Sequence, residues 1–133
     1  MSKKTEETEV VAEAANEQPK AVETGRVDEA QVAAWKKEHK AVYIKEIACR
    51  ISENETAYVY LKAPSRDVVA LALAAPKETA NKAAKTINMG TVVLNNCLVG
   101  GDERVKTDDT FYLSVVAEAA SMITFYETES KNL

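Results

Sequence analysis

Two stretches of the chain alternate in polarity with a period of two. In Val42–Ile51, the residues Tyr43, Lys45, Ile47, Cys49 and Ile51 fall on one side and Val42, Ile44, Glu46, Ala48 and Arg50 on the other. In Thr56–Lys62, Ala57, Val59 and Leu61 oppose Tyr58, Tyr60 and Lys62. Both stretches are rich in β-branched and aromatic residues, and the polar run Ser52-Glu53-Asn54-Glu55 separates them, which predicts a β-hairpin. A lone hairpin is only marginally stable in water, so its Ile/Cys and Val/Leu face requires cover from other elements.

That cover is supplied by segments with helical spacing. Asp28 is a favourable N-cap for a helix from Glu29 to about Lys40, with Val32 and Trp35 on one face and basic residues at the C-terminal end; Trp35 is expected to anchor it to the core. Ser65 caps a short, apolar helix that runs over Val68, Val69, Leu71, Ala72 and Leu73 to Pro76. A longer helix carries Ala80, Ala84, Ile87, Thr91, Leu94 and Leu98 at helical spacing, and Gly100-Gly101 suit a left-handed C-cap. Val92, Val93, Cys97 and Val99 make its last two turns apolar nearly all round, as in a helix that is central or buried against a partner. After the charged connection Asp102–Thr107, a last helix capped by Thr107 or Asp108 places Tyr112, Val115, Val116, Ala119, Met122, Ile123 and Tyr126 on one stripe, opposite Glu118, Ser121 and Thr128. The predicted class is α+β: an N-terminal helix, a β-hairpin, then three helices packed on the hairpin (α-β-β-α-α-α).

Composition adds a boundary. Residues 1–27 contain no aromatic side chain, and Pro19 and Gly25 interrupt any helix there, so this stretch is expected to be a disordered acidic tail and residues 28–133 a single α+β domain. Of the formal net charge of −4, three charges fall between Met1 and Asp28, where four basic residues meet seven acidic ones. An acidic chain with no clustered basic stripe argues against nucleic acid as a partner, although Tyr58, Tyr60 and Lys62 on one strand face are the residue types of a base-stacking platform. The absence of a bilayer-length apolar run and of an apolar core in Met1–Glu7 predicts no membrane partner and a cytoplasmic location.

The inventory of reactive groups is short. His39 is the one histidine and sits at the charged end of a helix, where solvation is the expected state. Cys49 and Cys97 form no disulfide framework and, with His39, lack zinc-ligand spacing; both read as small buried hydrophobes. Asp102, Glu103, Asp108 and Asp109 lack the alternation and terminal glutamate of an EF-hand loop and fit helix capping and a solvated connection. No glycine pattern cradles a phosphate. No catalytic residue, metal site or cofactor is therefore assigned, and the expectation is a binding protein rather than an enzyme. Asn95-Asn96 interrupt an apolar helix, either as an amide satisfied within the core or as one presented at a subunit contact.

Four segments in order, Trp35-Lys36-Lys37, Ala57–Arg66, Val93–Asp102 and Lys106–Asp109, resemble a family of short proteins of tailed bacteriophages and prophages similar to tail assembly chaperones. The resemblance covers roughly Asp28–Leu133, and Leu94–Asp102 is its most specific part. It implies a non-catalytic factor made in the host cytoplasm during virion assembly, which coats the tape-measure protein and helps recruit tail-tube subunits. The stripes on the Ile87–Val99 and Tyr112–Tyr126 helices would then meet phage proteins or a second copy in a homo-oligomer, through Ile87, Leu94, Asn95, Leu98, Tyr112, Val116, Met122, Ile123 and Tyr126. The same stripes would serve a monomeric core equally well. A structural virion component, such as a head-completion or tail-adaptor protein, and a small nucleic-acid-binding or regulatory protein are the alternatives.

Overall fold

Local signals place most of the elements. In the computed structural model, which describes residues 21–76 and 81–133, a short strand β1 (Val22–Thr24) precedes helix α1 (Glu29–His39). Strands β2 (Ile44–Ser52) and β3 (Glu55–Lys62) follow, then helices α2 (Arg66–Ala74) and α3 (Lys82–Cys97). The chain continues through β4 (Leu98–Gly101) and a 3-10 turn (Glu103–Lys106) to helix α4 (Asp109–Ala120). Asp28, Ser65 and Asp108 cap α1, α2 and α4 through side-chain oxygens that accept from the backbone N–H of the second or third residue of each helix. Asn81 does the same for α3.

The class is α+β and the expected order holds, with two strands added. β3 is central: β2 pairs with it antiparallel along one side, while β1 (parallel) and β4 (antiparallel) share the other. β1 lies within the stretch assigned to the tail, as do Arg26 and Val27, which contact Tyr58 and Tyr60; residues 1–20 of that stretch lie outside the described residues. Its three residues carry too little pattern to declare a strand. They are held by main-chain pairing to Glu55, Thr56 and Ala57, and by the Glu23 carboxylate, which accepts from the Tyr58 hydroxyl at 2.9 Å.

β4 replaces the expected last turn of α3. Leu98 leaves the helix with an extended backbone (φ −64°, ψ 122°), and Gly100-Gly101, instead of capping a helix, run beside Tyr60 and Val59. The glycines allow that approach: a Cβ on Gly100 would lie 2.5 Å from the Trp35 ring, and Gly101 has φ +123° with no room between it and the Tyr58 carbonyl.

The two faces of β3 are covered differently. Ala57, Val59 and Leu61, with Ile47 of β2, meet Ala72 of α2, Val93, Leu94 and Cys97 of α3, and Phe111, Val115, Val116 and Ala119 of α4 in the main core. On the opposite face, Trp35 of α1 packs against Tyr60 with ring centroids 5.5 Å apart, and the Arg26 guanidinium lies 5.3 Å from the Tyr58 ring centroid. Trp35 therefore anchors α1 to the tyrosine face rather than to the main core. The buried Tyr60 hydroxyl donates to Glu46 (2.8 Å) and accepts from the Val27 N–H (3.2 Å), so its polar tip is satisfied.

α4 is shorter than its apolar pattern. The Ser121 N–H and hydroxyl both turn back to the Glu118 carbonyl, and the run Ile123-Thr124-Phe125-Tyr126 that follows is β-branched and aromatic, unfavourable for continuing the helix. Where α3 crosses α4, a Cβ on Gly90 would collide with the Val116 carbonyl. Gly90→Ala must therefore force the two helices apart, and denaturant unfolding is expected to show a loss of about 1–3 kcal/mol, with secondary-structure content unchanged.

Candidate functional site

The end of β4 is tied to the rest of the sheet by an ionic cluster. Asp102 caps the 3-10 turn by accepting from the Arg104 N–H (2.9 Å), and its carboxylate also accepts from the Arg104 guanidinium (2.7 Å) and the Thr24 hydroxyl (2.7 Å). Arg104 reaches on to Glu55 at the start of β3 and to Thr24 Oγ1, while the Asp102 N–H donates to the Tyr58 carbonyl (2.8 Å). One aspartate and one arginine thus join β1, β3, β4 and the turn. The Arg104 guanidinium beside it holds the Asp102 carboxyl well below the usual carboxylate range, with the Arg104 N–H and the Thr24 hydroxyl acting in the same direction. The pair keeps Arg104 fully protonated in return.

With the turn held there, Val105 is buried and Lys106 stands at the surface beside the first turn of α4 and the last turn of α3. Between these elements lies an open cleft of about 440 Å³ lined by Leu94, Asn95, Leu98, Val105, Lys106 and Tyr112. Its floor and walls are mostly apolar. The polar groups are at the edge: the Tyr112 hydroxyl donates to Asn95 Oδ1 at 3.2 Å, bridging the two helices, and the Lys106 ammonium lies 3.2 Å from Glu103. Apolar walls with a few oriented polar groups suit an inserted apolar side chain.

Of the nine residues proposed for protein interaction, Leu94, Asn95, Leu98 and Tyr112 meet in this cleft. Ile87 is exposed on α3, away from it. Val116 of α4 and Met122, just beyond its end, belong to the main core and offer no surface, because the side of α4 that Met122 follows is the one α3 and the sheet cover. Leu94 is also almost wholly buried and contributes only to the floor. Ile123 packs at the margin of the core, and Tyr126, 95% exposed, lies beyond the end of α4 rather than on a helical stripe. Neither asparagine is a core amide: both are exposed, and Asn96 donates back to the Val92 carbonyl at 2.8 Å. Val105 and Lys106 were not legible as site residues, since both sit in a run that reads as a charged connection; Val105 is the single apolar residue between Asp102 and Thr107.

Cys97 is buried in the core and Cys49 half-buried beside it; burial pushes both thiols up, which leaves them protonated and weakly nucleophilic at neutral pH. His39 is exposed. Among the described residues no three His, Cys, Asp or Glu side chains gather where they could hold a metal ion, and no helix is long and apolar enough to cross a membrane. Comparison with protein-family models, curated proteins and solved structures returns no match to this chain.

The ionic cluster gives the fold an acid-sensitive joint. Because the Asp102 carboxyl titrates lower in the folded chain than in the unfolded one, its contribution is complete above about pH 5 and is lost progressively as pH falls below about 4. Asp102→Asn is expected to cost about 1–3 kcal/mol near neutral pH and to flatten the acid limb of the stability profile, as read by thermal melts over a pH series. An acid limb as steep as in the native chain would show that Asp102 does not control it.

Proposed function

We propose that this chain is a non-catalytic protein-binding factor of tailed-phage assembly, a tail assembly chaperone, which receives apolar side chains of the tape-measure protein or tail-tube subunits in the cleft between α3 and α4. The observation that carries this reading is convergence: candidate residues from two separate helices, Leu94 and Asn95 of α3 and Tyr112 of α4, meet Leu98 of β4 in one open, mostly apolar cleft. The segments that resemble the phage family, Val93–Asp102 and Lys106–Asp109, supply the end of α3, β4, part of the turn and the start of α4, which are the elements around that cleft. Seating one Leu- or Phe-sized side chain of an amphipathic helix there would contribute roughly 1.5–3 kcal/mol, enough for a reversible hold when several such contacts add. A chaperone has to let go, and a shallow cleft suits that.

Co-expression with the tape-measure and tail-tube proteins of the same genome, followed by co-purification, tests the proposal. Asn95→Arg projects a long charged side chain across the mouth of the cleft from an exposed position; it removes the acceptor of the Tyr112 hydroxyl, but that bond is solvent-exposed, so the melting temperature should fall only slightly. It is expected to reduce capture of the partner by about tenfold. Failure of the native chain to capture either protein, or undiminished capture by Asn95→Arg, would overturn the reading.

A further inference from the structure

β3 has neighbours on both sides, but among the described residues β2 pairs with β3 alone. Its outer edge is nine residues long and presents unpaired main-chain N–H and C=O groups, the template for adding another strand. Charged side chains usually blunt such an edge. Here their arrangement does something different.

On the face of β2 that carries Ile44, Glu46, Ala48 and Arg50, the last three are exposed, with a glutamate and an arginine placed symmetrically about a small alanine. Ala48 is also the midpoint of the strand. When two copies of one strand pair antiparallel about a two-fold axis perpendicular to the sheet, opposed residues share a face, so the axis passes through a residue. An axis through Glu46 or Arg50 sets like charges against each other, and one through Ile47 or Cys49 leaves both charges opposite neutral residues. Only the axis through Ala48 sets Glu46 opposite Arg50, and symmetry does so twice. The same register overlaps the greatest length of strand. On the core face it brings Ile47 of one copy opposite Cys49 of the other, continuing the apolar layer at the centre of the strand, with Lys45 opposite Ile51 at its ends.

We infer that β2 pairs antiparallel with β2 of a second copy of this chain, about a two-fold axis through Ala48, joining the two sheets into one. The inference is independent of the cleft, which lies beside β4 on the other side of β3. Glu46 keeps its hydrogen bond from Tyr60 and Arg50 its contact with the Glu53 carbonyl, 3.2 Å away in the hairpin turn.

Sedimentation equilibrium of the full chain over a concentration series tests this. The native chain is expected to dimerise, and Arg50→Glu, which opposes two glutamates at both symmetric positions, to weaken the dimer by about tenfold or more. Adding Glu46→Arg to that variant restores opposite charges with the signs exchanged, and dimerisation should return to within about threefold of native. Melts by circular dichroism verify that each monomer is folded; because Glu46 also serves Tyr60, Arg50→Glu is the primary variant and Glu46→Arg enters only in the double exchange. A native chain that stays monomeric at every concentration, a dimer indifferent to Arg50→Glu, or a folded double variant that does not recover would each overturn the inference.

Discussion

The structure depends on β3 being enclosed from every direction. Five consecutive residues, Ala57 to Leu61, are buried, so neither face of this strand is a solvent face. The apolar side chains Ala57, Val59 and Leu61 are covered by α3 and α4, and the tyrosines between them by α1 and Arg26. A strand buried on both faces needs its polar atoms satisfied on both. The Tyr58 and Tyr60 hydroxyls accordingly end on Glu23 and Glu46.

Enclosing β3 along its second side is what shapes the candidate site. β4 can lie against Tyr60 and Val59 only because Gly100 and Gly101 remove the side chains that would strike Trp35 and the Tyr58 carbonyl. Bringing the chain there ends α3 at Cys97 and commits Asp102 to the Tyr58 carbonyl, Thr24 and Arg104. The turn that follows lies with Val105 inward and Lys106 beside Tyr112. The cleft is a consequence of closing the sheet. Its geometry is held by backbone pairing and a charge cluster, and of the residues engaged in these only Leu98 lines the cleft.

The two proposed contact surfaces sit on opposite sides of the same strand. Pairing through β2 leaves the flank that holds β4 and the cleft free, so two clefts would face outward from one extended sheet. A pair of weak sites held at a fixed separation gains avidity for a long partner with repeated apolar segments, without any single contact becoming tight. That combination suits a factor that must coat a long protein and later release it.

The capping residues Asp28, Ser65 and Asp108 and the period-two pattern of Val42–Lys62 were legible in the sequence, because capping and strand alternation are properties of a few neighbouring residues. The sequence also named Leu94, Asn95, Leu98 and Tyr112 as candidate contact residues. It could not separate them from Val116 and Met122, since periodicity identifies a face and says nothing about what covers it. The same limit hid β1 and β4 and placed the end of α4 too far along: Leu98–Gly101 continues a helical pattern as well as it begins a strand, and Tyr126 completes a stripe that Ser121 has already ended. By itself the sequence determined the four helices and the hairpin, short of their ends, and which side of each was apolar. The tertiary structure alone decided which apolar sides were consumed in the core and which stayed open, because that depends on contacts between residues tens of positions apart, such as Thr24 with Asp102 and Asn95 with Tyr112.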